Sequence, residues 1–144
     1  MGDRCTVYME FGGKISRQAA EALVKVLEAE GYRSNDTDDE PSIDILDHSF
    51  YCHDVNYANI EAIEDVCSEH AIDYRKENDA GGGYGAAIEL WVGGVAKTFS
   101  CSEGEPCVPL SRVLEVETLA CGLADLIAEA RFAVEGLPEL EIEP

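Results

Sequence analysis

Residues 5–31 read CTVYMEFGGKISRQAAEALVKVLEAEG and join two different periodicities. From Cys5 to Phe11 the apolar side chains alternate, Cys5, Val7, Met9 and Phe11 falling on one side, which is the signature of a half-buried strand. From Ala20 the repeat becomes helical through Leu23, Val24 and Leu27. Ser16 stands at the N-cap position, Ile15 before it in the staple position, and Gly31 at the stop. Gly12-Gly13 between the two halves reads as a break, so the unit is strand, tight turn, amphipathic helix.

Further elements follow toward the C-terminus. Ile43 and Ile45, then Leu46, Phe50 and Cys52, suggest a second strand with an irregularity near Asp47. From about Asn56 to His70, Ile60, Ile63, Cys67 and Ala71 lie along one helical face and acids occupy the rest. Residues 71–78 read as a third strand. AAIELWVGGVAKTFSC, residues 86–101, reads as a hairpin, because Gly93-Gly94 supplies the positive φ of a two-residue primed turn. Ser111 then caps one long helix over 112–134, whose stripe runs through Val113, Val116, Leu119, Ala120, Leu123, Leu126, Ile127, Ala130 and Ala133 and stops near Gly136 and Pro138. The order β-α-β-α-β-β-β-α predicts an α+β fold: a single domain over 1–136 with a roughly five-stranded mixed sheet, covered mainly on one face by three helices. Residues 137–144, LPELEIEP, read as an acidic flexible tail.

Charge bounds the function more tightly than any motif does. The 144 residues carry 30 Asp and Glu against 10 Lys and Arg, a formal net charge of −20. That surface repels nucleic-acid phosphates and anionic lipid and attracts basic protein surfaces, so direct nucleic-acid or membrane binding is not expected. No apolar run is long enough for a signal peptide or a membrane span, and a cytoplasmic location is expected. The opening MGDRCT fits the loose myristoylation pattern through Gly2 and Thr6, but a single acyl chain needs a basic patch to anchor and none is present. Cys5, Cys52, Cys67, Cys101, Cys107 and Cys121 have no framework spacing and read as free thiols.

Candidate chemistry fails at identifiable points. Cys52, His53, Cys67 and His70 offer zinc ligands, yet a helix over 56–70, about 21 Å long, holds the two pairs apart. Asp36, Asp38, Glu40, Ser42, Asp44 and Asp47 sit near calcium-loop positions, but Pro41 replaces the essential Gly and Asp47 replaces the bidentate Glu. No metal or cofactor is therefore expected. GGGYG at 81–85 precedes a hairpin and not the helix that a dinucleotide fingerprint requires, so it reads as a mobile loop. Gly12, Gly13, Lys14, Ser16 and Arg17 could present N–H groups and cations to an anion at a helix start, although the loop is too short for a P-loop. No local signature links a thiol to a histidine, and a non-enzymatic protein is expected.

The acids are concentrated in residues 34–73, which hold twelve Asp or Glu and no Lys or Arg. Glu61, Asp65 and Glu69 repeat at i, i+4 and i+8 with Glu64 beside them, and each like-charge pair costs about 0.2–0.5 kcal/mol. Together with Asp36, Asp38, Asp39, Glu40, Asp44, Asp47 and Asp54, they could form an extended phosphate-like surface. The leading expectation is a small acidic binding protein that mimics nucleic acid and inhibits a basic nucleic-acid-binding protein, of the anti-restriction or anti-CRISPR kind carried by phages and plasmids. An immunity-type protein capping a basic nuclease is a close physical relative. The alternatives are an anion- or small-molecule-binding domain, an enzyme among the forms it could take, using the Gly12–Arg17 turn, and an acidic surface that only reflects salt adaptation. The 3-4-3-4 spacing of Val116, Leu119, Leu123, Leu126 and Ala130 also suits a homodimer through the 112–134 helix, beside the plainer role of packing on the domain's own sheet.

Overall fold

The computed structural model describes residues 3–117 and 122–144. In chain order they form β1 (Arg4–Ile15), α1 (Arg17–Ala29), β2 (Arg33–Ser34), a 3-10 turn (Ile43–Ile45), β3 (Phe50–Asn56), α2 (Glu61–His70), β4 (Asp73–Asn78), β5 (Ala87–Val92), β6 (Val95–Ser102), β7 (Glu105–Cys107), α3 (Leu110–Glu117), α4 (Gly122–Glu135) and β8 (Leu140–Ile142). The architecture is α+β. Seven strands follow the order β2-β3-β1-β4-β5-β6-β7, all antiparallel, and β8 adds to β1 in parallel.

The opening unit folds as its periodicities require, with one correction. Cys5, Val7, Met9 and Phe11 are all buried, and the Ser16 hydroxyl accepts a hydrogen bond from the Ala19 N–H at 3.1 Å. Helix α1 ends at Ala29, and Gly31, just past the Glu30 cap, takes the left-handed φ of 80° that follows a helix stop. The correction concerns Gly12-Gly13. They do not break the strand, because β1 continues to Ile15 and its last three residues pair with β8.

That pairing also replaces the flexible tail expected over 137–144. Gly13 donates its N–H to Glu139 O at 3.1 Å, and Glu143 donates to Ile15 O at 2.8 Å. A Cβ at Gly12 would stand 2.0 Å from Pro138 O, so the close approach of the tail requires glycine there.

Three other boundaries differ from expectation. Residues 43–45 form a 3-10 turn in place of a strand, since Ile43 and Ile45 lean on the core and Leu46 is fully buried, a spacing that no strand supplies. Helix α2 begins at Glu61 and not near Asn56, because β3 runs on to Asn56 and positive φ at Tyr57 and Ala58 turns the chain. The helix expected over 112–134 is two helices. A straight helix would hold Arg112 and Glu129 about 26 Å apart, whereas Arg112 Nη2 lies 3.2 Å from Glu129 Oε1, so α4 folds back along α3. Leu119 and Ala120 of the expected stripe, Cys121, and Gly2 of the acylation pattern lie outside the described residues.

Helices cover both faces of the sheet, not mainly one. Cross-strand register puts Val7, Met9, Phe11, Phe50, Cys52 and Tyr74 on the same face. There Ala19, Ala20, Leu23 and Leu27 of α1 and Ile63 and Cys67 of α2 join them in the main core. Burying each large side chain of that set contributes about 1.5–3 kcal/mol. Ile88 and Leu90 of β5 point to the opposite face, where α4 meets the sheet through Ala133 beside Leu90 and through Phe132, whose ring lies 6.5 Å from that of Phe99. The hairpin expected at Gly93-Gly94 is present, with φ of 59° and 80° at the two glycines.

Candidate functional site

The acidic residues singled out in the sequence separate onto different parts of this frame. On α2, Ile63 and Cys67 face the core, which turns Glu61, Asp65 and Glu69 outward. Among the described residues no ion pair involves Glu61, Glu64, Asp65, Glu69, Asp39, Glu40, Asp44, Asp47 or Asp54. Glu61 and Glu64 lie in the first turn, where the helix dipole favours them, and Asp65 and Glu69 lack that support.

The tertiary structure extends the α2 surface at its start and along one side with residues distant in sequence. At its start a cleft of about 590 Å³ brings Glu61 together with Asp54 and with Glu30 from the end of α1. Arg4 in the same cleft donates to the Asp54 carbonyl at 2.9 Å, and the Asp54 carboxylate has no ion pair among the described residues. Alongside α2, the buried Tyr74 hydroxyl donates to Glu89 Oε1 at 2.7 Å, and Glu64 Oε1 stands 3.4 Å from the same oxygen. Burial first, then the bond to Glu89 and the charges of Glu89 and Glu64, push the Tyr74 hydroxyl far above its ordinary pKa and keep it a donor. Trp91 stacks on the Tyr74 ring at 5.9 Å, fixing that donor in place.

The loop acids go to the other face. Tyr51 points away from the main core, and its hydroxyl holds Asp38 at 2.5 Å, while Arg33 pairs with the same carboxylate oxygen at 3.2 Å. Asp36, with His48 Nδ1 3.8 Å from its carboxylate, opens onto a second cleft of about 480 Å³ that also receives Glu10, Glu77, Asp79 and Glu103. The one basic side chain among its described lining residues, Arg75, is held by Glu77 at 3.2 Å and by the Gly104 carbonyl at 3.5 Å. The local potential registers on neighbouring groups. Burial and then Asp79 and Glu77 raise the Tyr8 phenol, and burial and then Glu77 raise the Cys101 thiol. Asp44 and Asp47 are exposed in and after the 3-10 turn that packs beside α1, and Asp39 and Glu40 are exposed in the connection before it.

The continuous acidic run of the sequence is thus divided by the sheet. Asp54, Glu61, Glu64, Asp65 and Glu69 gather on the α2 side with Glu30 and Glu89, and Asp36 and Asp38 lie across the sheet with Glu10, Glu77, Asp79 and Glu103. Alternation along β1 was the one signal for the second group, since it sets Tyr8 and Glu10 opposite Val7 and Met9.

The Gly12–Arg17 segment is strand and helix start, with little open to an anion. The Gly13 N–H is used by Glu139, a Cβ at Gly13 would lie 3.1 Å from an Asp73 carboxylate oxygen, Lys14 is flanked by Glu141 and Glu143, and Arg17 pairs with Glu21 at 3.6 Å. No set of three His, Cys, Asp or Glu among the described residues is arranged to hold a metal ion, and no helix among them is long and apolar enough to cross a membrane. No protein-family model, curated protein or solved structure matches this chain.

Proposed function

We propose that this is a non-enzymatic binding protein that sets its α2 surface against the basic groove of a nucleic-acid-binding protein, a nuclease among them, and so blocks it as a nucleic-acid mimic. The observation that supports the reading is the outward row of Glu61, Asp65 and Glu69, prolonged by Asp54 and Glu30, with no basic partner for the α2 acids among the described residues. Successive i, i+4 carboxylates on a helix rise about 6 Å, which is sparse beside the charge every 1.7 Å or so along duplex DNA. Glu64 and Glu89, both within reach of the Tyr74 hydroxyl, add two carboxylates beside the row. Solvated helices ordinarily relieve such repulsion with Lys or Arg four residues away, and here the repulsion is retained.

Immobilised protein, exposed to extract of its native host, tests the reading. A basic nucleic-acid-binding protein should be retained at about 0.05 M salt, released toward about 0.5 M as the charges are screened, and displaced from its nucleic acid by the free protein. Reversal of charge by Glu61→Lys, Asp65→Lys and Glu69→Lys together should abolish retention. Retention that ignores both salt and the triple substitution would sink the proposal.

A further inference from the structure

We infer that the protein also self-associates, two copies packing α4 against α4 antiparallel about a twofold axis, in a dimer that salt strengthens. Of the nine large apolar side chains exposed among the described residues, seven lie between Val108 and Val134. Helix α4 gathers Leu123, Leu126, Ile127, Ala130 and Val134 on one side, with Asp125, Glu129, Arg131 and Glu135 on the other, yet only Gly122 and Ala133 of its 14 residues are buried. Its own sheet touches it near the C-terminal end, at Phe132 and Ala133. The exposed apolar side chains are Leu123, 68% exposed, Ile127, 46%, and Val134, 68%, the last also bordering the cleft that Ala133 and Leu90 line, with Ala130 exposed between them.

Their spacing of four, three and four is that of a helix-packing seam. The occupant that fits is a second α4. Set antiparallel about an axis between Ile127 and Ala130, Leu123 meets the second copy's Val134 and Ile127 meets its Ala130, large against small, so the stripe is complementary to itself as a twofold interface requires. The stripe has no acidic member and is flanked by Arg131, for which no ion pair exists among the described residues. It is therefore a place where two copies of a −20 chain can meet with little local repulsion. The area sets the strength. A 14-residue helix is about 21 Å long, and one such seam falls short of the roughly 800 Å² per partner of a standard interface. The dimer is accordingly reversible. Long-range repulsion between the two acidic bodies opposes it, and salt screens that repulsion, so its salt dependence is opposite in sign to that of the basic partner's docking. Neither proposal depends on the other, and each can fail alone.

Sedimentation equilibrium over a range of concentrations, at about 0.05 and 0.5 M salt, tests this inference. Wild type should pass from monomer to dimer with concentration, its dissociation constant falling several-fold or more at the higher salt. Leu123→Lys alone and Val134→Glu alone, both at exposed positions, should abolish dimerisation with unchanged far-ultraviolet dichroism and melting temperature. The two combined should restore it, because each new lysine then faces a new glutamate across the axis. A wild type that is monomeric at the highest concentration in both salts overturns the inference, including the case in which the single substitutions instead abolish capture of a basic partner. So does a dimer that survives either single substitution, or a double variant that stays monomeric.

Discussion

The Tyr51 hydroxyl donates a hydrogen bond of 2.5 Å to Asp38 Oδ1, joining a strand to the acidic connection thirteen residues before it. Asp38 takes a positive φ of 61°, and Arg33 donates to both its carbonyl and its carboxylate, so this part of the acidic run is a built turn. The bond from Tyr51, with Arg33 adding to it, holds the Asp38 carboxyl below the usual carboxylate range, and the same bond raises the Tyr51 phenol.

The sign of the pH dependence follows. Asp38 has the lower pKa when folded, so its share of stability is present above the unfolded value of about 3.9 and is lost as pH falls through the folded one. Tyr51 has the higher pKa when folded, so its share is present below about 10 and is lost as pH rises through the folded value. Carboxyl carbon shifts followed by NMR should give Asp38 a midpoint below that of an ordinary aspartate. Tyr51→Phe should move the midpoint upward, and an unmoved midpoint would contradict the assigned cause.

The contact between β1 and the C-terminal strand predicts a cost at one glycine. Gly12→Ala places a methyl group 2.0 Å from Pro138 O, against backbone, so β8 must shift or detach. The expected loss is about 1–3 kcal/mol, the usual range for overpacking, measured by denaturant unfolding. The Gly13 amide, which Glu139 O now accepts, should lose hydrogen-exchange protection. In a chain ending at Gly136 the same substitution should cost much less, because the clashing carbonyl is gone.

Thiol chemistry should rank the cysteines by environment. Cys67 is fully buried, and burial, with Glu64 and Asp73 adding to it, pushes its thiol up to about 12. Thiolate is the reactive form, so alkylation near pH 8 should mark exposed Cys107 early and reach Cys67 only through unfolding. Mass mapping against time checks this, and Cys67 modification in step with Cys107 in the native protein would contradict its place in the core.

Legibility differed by element for physical reasons. The strand from Cys5 to Phe11, the helix between Ser16 and Gly31, and the turn at Gly93-Gly94 were readable because each is specified by neighbours a few residues away. Strands β2, β7 and β8 have two or three residues each, too few to show a period, and exist by hydrogen bonding to β3, β6 and β1. The division of the 112–134 stripe into α3 and α4 was hidden for a related reason, since both pieces keep helical spacing and the reversal shows in tertiary contacts such as Arg112–Glu129. In the candidate site, the outward row on α2 followed from its own periodicity. Glu30 and Glu89, and the cleft of Glu10, Glu77, Asp79 and Glu103, come from segments far apart in the chain.

By itself the sequence determined the α+β class, the opening strand and helix, the central hairpin, and a net charge of −20, all consequences of composition or of spacing within a few residues. Only the tertiary structure decided where the charge stands. Side chains alternate between the two faces of a sheet and strands pair with distant strands, so one acidic run is parted: α2 carries Glu61, Asp65 and Glu69 over one face, and Tyr51 draws Asp38 to the other.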